Sequence, residues 1–224
     1  MKALLIPVKN WRQAKQRLAP VLCPADRMAL AAAMFEDVCA AAMTAQGVDQ
    51  VFVISSYEPA MDRARALGWE VIGEERQLSE SASVDFASRL CAERGVGSLL
   101  RLPADVPLIR PEDINLLFRR VSAGPSVVIS PSRSGTGTNA LLRTPPTVFG
   151  SHFGPNSFAK HLREVEKSGA RCAVVRNVRL AMDIDDAEDL QAVLPLLSSA
   201  TATGRWLAGA GFTVGRISQP APGP

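Results

Sequence analysis

Seven short runs along this chain are apolar nearly throughout instead of alternating with polar residues: ALLIPV at 3–8, QVFVIS at 50–55, EVIG at 70–73, SLLRL at 98–102, SVVIS at 126–130, NALLR at 139–143 and RCAVV at 171–175. A strand covered on both faces has no solvent side to mark with polar residues, so such runs predict a largely parallel sheet between helical layers. Helical patterns fall between them, at about 24–44, 59–67, 82–94, 111–122, 157–168 and 186–197. Pro24 suits a first turn and Asp26 the positive end of the helix dipole. Gly47 marks the end of that helix, and Gly68, Gly95 and Gly169 follow three others, as residues tolerant of a left-handed cap. The pattern predicts an α/β fold of three layers around a mostly parallel sheet.

The alternation is regular to residue 130 and then gives way to SPSRSGTGTN and TPPTVFGSHFGPNS, rich in Gly, Pro, Ser and Thr. In open α/β sheets, loops beyond strand ends are where ligands sit. After residue 198 helical periodicity fades, so the expectation is one domain over 1–198 and a poorly ordered tail over 199–224, on which Trp206, Leu207 and Phe212 could still dock.

Composition is that of a soluble globular protein, 47% hydrophobic and only 5% aromatic, which implies an aliphatic core. A formal net charge of +3 is too small to announce a nucleic-acid binder but allows a local anion site. Cys23, Cys39, Cys91 and Cys172 are far apart with no C-x-x-C pair, so they read as reduced core fillers, not a zinc site or disulfide framework. No membrane span or export signal is legible, and the expected location is cytoplasmic.

Three constellations carry candidate chemistry. Directly after the first strand, IPVKNWRQAKQRLAP places Lys9, Arg12, Lys15 and Arg17 within nine residues with no acid among them; such a loop can neutralise a polyphosphate before a nucleophile approaches. A solvated basic loop is the plain alternative. In LPADVPL, Asp105 ends an apolar strand and stands between Pro103 and Pro107, which stiffen the backbone and aim the carboxylate. In AMDIDDAEDL, Asp183 and Asp185 flank Ile184 and in extended chain face the same way, so with Asp105 they could share a hard cation such as Mg²⁺. Asp186 or Asp185 could equally cap the helix that follows.

A fourth, weaker signal is SGTGTNALL with FGPNSFAKHL, where small residues let backbone N–H groups approach an oxyanion and Ser157 opens a helix. An N-cap role for Asn156 or Ser157 is its structural alternative. No G-x-G-x-x-G or P-loop motif occurs, and no G-x-S-x-G elbow, so dinucleotide, P-loop and serine-hydrolase chemistry lack their motifs. His161 reads as an exposed or packed helix residue.

In order along residues 3–195, IPVK…AKQRLAP, LPADVPL, SRSGTGTNALL, FGPNSFAKHL and AMDIDDAEDL resemble the guanylyltransferases that activate a phosphorylated three-carbon acid in making coenzyme F420. The resemblance implies a nucleotide-diphospho-sugar-transferase-like (Rossmann-like) fold, related to the molybdenum-cofactor guanylyltransferases. It implies GTP and 2-phospho-L-lactate, phosphoenolpyruvate or 3-phospho-D-glycerate as partners, neither nucleic acid nor membrane, and leaves a homodimer open. Asp105, Asp183 and Asp185 match the family's metal aspartates, for Mg²⁺. Pro7, Val8, Lys9, Lys15, Arg17 and Asp105 match its nucleotide site, with Asp105, Lys15 and Arg17 taken as catalytic. Thr138, Asn139, Gly154 and Ser157 match its acceptor site. Two departures bear on the acceptor: Asn139 stands where some phosphoenolpyruvate-using members have threonine, and ESASVDFASRLC at 80–91 replaces a short Leu-Asn-containing helix start. A more polar acid, 3-phospho-D-glycerate, fits those changes.

The mechanism this implies is attack of the acceptor's phosphate oxygen on the α-phosphorus of GTP with loss of pyrophosphate. A phosphate monoester is already ionised near neutrality, so no general base is needed. The rivals are a glycosyltransferase using a nucleotide-sugar donor and a non-catalytic nucleotide sensor.

Overall fold

The seven apolar runs form one sheet. A computed structural model describes residues 1–212, with strands β1 (Lys2–Pro7), β2 (Gln50–Ser55), β3 (Glu70–Gly73), β4 (Ser98–Arg101), β5 (Ser126–Pro131), β6 (Thr138–Thr144) and β7 (Arg171–Val174). Their order is β3-β2-β1-β4-β6-β5-β7. Four neighbouring pairs are parallel, while β6 runs antiparallel to both β4 and β5. Because β6 runs backwards, its first residues, Thr138 and Asn139, lie at the same sheet edge as the last residues of β4.

The helices are α1 (Pro24–Thr44), α2 (Glu58–Ala66), α3 (Glu80–Glu93), α4 (Pro111–Arg119), α5 (Ser157–Ser168), α6 (Val178–Ala181), α7 (Ala187–Val193) and α8 (Ala202–Gly209). Successive residues of β1 serve opposite cores, as a two-sided strand must. Leu4 and Ile6 pack with Phe35 and Val38 of α1, Ala60 and Ala64 of α2 and Leu117 of α4. Leu5 packs with Val84, Ala87 and Cys91 of α3. Farther along that second face, Val127, Ile129 and Leu141 meet Val165 of α5.

Two expectations change. Part of the expected tail is helical: Thr201 caps α8 through the N–H of Gly204, and the buried carboxylate of Asp37 accepts N–H groups of Ala202 at 2.6 Å and Thr203 at 2.9 Å. Leu207 joins Leu30, Met34 and Val193 in a further core cluster. Residues 213–224 lie outside the described residues. Of the cysteines, only Cys39 and Cys91 are core fillers; Cys23 and Cys172 are exposed, Cys23 because it sits at the N-cap of α1 and accepts the N–H of Asp26, Cys172 because β7 is an edge strand.

The segment leading into the aspartate run is tied to α4. Buried Asp113 accepts from Arg179 at 2.5 and 2.7 Å and from Asn177 at 2.7 Å. Burial alone would raise its pKa, but these donors outweigh it and hold the carboxyl below its ordinary range. A depressed carboxyl stabilises the fold above its unfolded pKa and loses that contribution as pH falls through the folded value. Asp113→Ala should therefore cost about 3 kcal/mol at pH 7 and much less near pH 2, read from urea unfolding at the two pH values. An equal loss at both would show that the ion pair contributes nothing.

Candidate active site

All the residues assigned to chemistry by the resemblance line one cleft of about 1220 Å³ where β1 and β4 end and β6 and α5 begin. Arg12 alone of the basic loop's cations is exposed and outside it. The loop after β1 makes two short 3₁₀ turns, Trp11–Gln13 and Gln16–Leu18, with Lys15 between them at φ 55°. A left-handed lysine is costly; here it brings the ammonium group inward. Lys15 Nζ donates to Asp105 Oδ2 at 2.6 Å and Asp185 Oδ1 at 2.9 Å, with only 7% of the side chain exposed. Burial alone would lower its pKa, yet the two carboxylates prevail and raise it, so the charge persists across the working range. Arg17 reaches Asp185 at 2.5 Å and Asp186 at 3.5 Å, and remains largely exposed.

The acids divide their duties. Asp186 caps α7 through the N–H groups of Glu188 and Asp189, so the capping and cleft readings of this run coexist. Between Asp183 and Asp185, Ile184 is fully buried and its N–H donates to the carbonyl of Asp105 at 3.2 Å, stitching together two segments far apart in sequence. Asp183 accepts from Asn139 Nδ2 at 2.9 Å; burial, then the charge of Asp105, pushes its carboxyl up to about 6. Asp185 goes the other way: burial is outweighed by Lys15 and Arg17, and its pKa falls.

The expected three-aspartate metal set is thus not preassembled. Both oxygens of Asp185 are engaged by cations, and among the described residues no group of three or more His, Cys, Asp or Glu is arranged to hold a metal ion. What is present is Asp105 and Asp183, two hard oxygen donors lining the same cleft and near enough for the charge of Asp105 to help raise the pKa of Asp183. Mg²⁺ commonly takes one or two carboxylates and completes its shell with phosphates and water, so the pair fits that ion.

Also lining the cleft, the buried Thr138 hydroxyl lies 3.0 Å from His161 Nδ1. His161 Nε2 accepts the N–H of His152 at 2.9 Å, which puts the ring proton on Nδ1 and leaves the threonine proton free to turn elsewhere. Burial, reinforced by the charge of Arg143, lowers His161 to about 3, so it is a neutral positioning group and no base. Gly154 takes φ 110° and Asn156 φ 56°; this sharp turn delivers Ser157, buried, to the start of α5.

Two cleft residues escaped the sequence reading. Arg101, the single charge in the SLLRL run, is 6% exposed, and pairs with Glu80, the first residue of α3. The charge inside an apolar strand was a visible signal; its partner, 21 residues away, was not.

The family described as "Guanylyl transferase CofC like" matches residues 1–221. The chain belongs to this family of CofC-like guanylyltransferases. Three relatives share the span. The phosphoenolpyruvate guanylyltransferase of Rubrobacter xylanophilus is 39% identical, over 83% of this chain and 90% of its own. The 2-phospho-L-lactate guanylyltransferase of Methanothermobacter thermautotrophicus is 34% identical, over 94% and 91%. The 3-phospho-D-glycerate guanylyltransferase of Colwellia psychrerythraea is 32% identical, over 88% and 92%. In fold, this CofC-like chain is similar to a crystal structure described as a putative nucleotide-diphospho-sugar transferase from Desulfovibrio desulfuricans, with a TM-score of 0.77 at 13% identity over 94% of this chain and 95% of that one. No helix among the described residues is long and apolar enough to cross a membrane.

Proposed function

We propose that this CofC-like guanylyltransferase transfers GMP from GTP to the phosphate of a three-carbon phospho-acid, releasing pyrophosphate, as a step in coenzyme F420 biosynthesis. The observation that carries the reading is Lys15, buried between Asp105 and Asp185, in a cleft that the basic loop lines together with Thr138, Asn139, Gly154 and Ser157. Pro7 and Val8 form the floor for the nucleotide, and Lys9, Lys15 and Arg17 supply the charge that a triphosphate requires. The turn at Gly154 to Ser157 and the Thr138 hydroxyl receive the acceptor's anionic groups.

Asp105 and Asp183 would hold Mg²⁺, with Asp185 beside them keeping Lys15 and Arg17 in place; bound there, the ion would neutralise phosphate charge as a Lewis acid. The chain's own contribution is alignment. Lys15 and Arg17 stabilise negative charge building on the departing pyrophosphate, and the ionised acceptor phosphate needs no protein base. The neutral His161 suits that scheme, since it orients Thr138 without competing for a proton.

Incubation of the protein with GTP, Mg²⁺ and each of the three phospho-acids tests the proposal. Pyrophosphate should appear only when GTP and an acid are both present, and should stop on addition of EDTA. Pyrophosphate from GTP alone, or release of a nucleoside diphosphate from a nucleotide sugar supplied in place of GTP, would overturn it.

A further inference from the structure

The acceptor end of the cleft has a wall with an unusual charge. Glu80 opens α3 and lines the cleft, 21% of its side chain exposed, although the molecules entering are anions. One of its oxygens pairs with Arg101 Nη2, and the other lies 3.8 Å from Lys9 Nζ. Arg101 is held rigidly: Nη1 donates to the carbonyl of Asn139 at 2.9 Å, and the guanidinium lies 4.3 Å from the centre of the Phe153 ring. Arg101 Nε, also buried, has no hydrogen-bond partner among the described residues.

The same helix builds the loop that faces the acceptor. Ser81 Oγ accepts the N–H of Phe153 at 2.8 Å, and Asp85 accepts that of Ser151 at 2.9 and 3.0 Å. Glu80 is thus fixed beside the Asn139 carbonyl and the Phe153 ring by an arginine that both hold.

We infer that Glu80, positioned by Arg101, selects a phospho-acid bearing a free hydroxyl, and that the preferred acceptor is 3-phospho-D-glycerate over phosphoenolpyruvate or 2-phospho-L-lactate. This rests on the guanylyltransferase reading above. All three acids carry a phosphate and a carboxylate, so charge does not tell them apart. A carboxylate in the wall is acceptor-only; with Arg101 and Lys9 each beside one of its oxygens, its remaining lone pairs are satisfied only by a ligand that offers a hydrogen. Only the glycerate has a hydroxyl to give. An acid lacking it leaves the lone pairs of Glu80 that Arg101 and Lys9 do not use without a donor, and sites built to bind a hydroxyl reject analogues without one strongly.

The test compares kcat/KM for the three acids, at fixed GTP and Mg²⁺, in wild type, Glu80→Gln and Glu80→Ala. Glutamine keeps the size of the side chain and an oxygen for Arg101, so folding is protected, which a thermal melt verifies. The wild-type protein should favour 3-phospho-D-glycerate by about 100-fold. Both variants should cut that ratio at least about tenfold, with rates for the two hydroxyl-free acids rising in the glutamine variant as the wall loses its negative charge beside Arg101 and Lys9. A wild-type preference for a hydroxyl-free acid, or a ratio unmoved in both variants, overturns the role of Glu80 while leaving guanylyl transfer standing. Turnover with none of the three acids removes both.

Discussion

Replacing Asp105 with alanine or asparagine should lower GMP transfer by about 10³-fold while the protein stays folded. The side chain is part-buried at the cleft and accepts from Lys15, but the backbone around it is secured independently: Val106 is fully buried and the Asp105 carbonyl receives Ile184 N–H. The loss should therefore appear in turnover and not in the melting curve. Asparagine is the sharper variant, because it retains the shape and removes only the charge that pairs with Lys15 and the donor proposed for Mg²⁺. Pyrophosphate release within a few-fold of wild type would remove Asp105 from the chemistry.

The second large effect is expected at Lys15. Lys15→Met should reduce kcat/KM for GTP by about 10²- to 10³-fold, because the ammonium both neutralises phosphate and holds Asp105 and Asp185 at a common point. Without it, Asp105 and Asp185 face one another with only Arg17 to offset them, and Arg17 is largely exposed. Arginine should not restore activity. Its planar fork is wider than a point charge, and the space between the two carboxylates is set by contacts of 2.6 and 2.9 Å to a single nitrogen. Recovery by Lys15→Arg would mean that charge alone matters and that the geometry of this contact does not.

What the sequence could show was whatever is local. All seven strands lie where continuous apolar runs put them, and α1 begins at Pro24 as the proline and Asp26 indicate. Asp183 and Asp185 straddling a buried Ile184 was likewise legible, because alternation is a property of neighbouring residues. The direction of β6 was not, since a buried strand has the same pattern whichever way it runs. Helix α8 escaped because part of its anchoring is Asp37, 165 residues away, whose carboxylate supplies the cap for a segment of weak periodicity. Glu80 and Arg101 escaped for a related reason: each is an ordinary charged residue until the fold brings them together beside the cleft. The division of labour among the aspartates was equally invisible, because spacing places carboxylates near one another but does not say which one a lysine will occupy.

In the proposed reaction the acceptor's own phosphate oxygen is the nucleophile, delivered by charge and alignment without a protein base. The identity of the nucleophile is tested most directly with 3-phospho-D-glycerate carrying ¹⁸O in its phosphate, by following the ³¹P resonance of the phosphorus derived from the α-position of GTP. This resonance should shift in the product, because a labelled oxygen bridges the two phosphorus atoms, and the released pyrophosphate should contain no label. Turnover with an unshifted α-phosphorus, or with ¹⁸O in the pyrophosphate, would contradict that assignment.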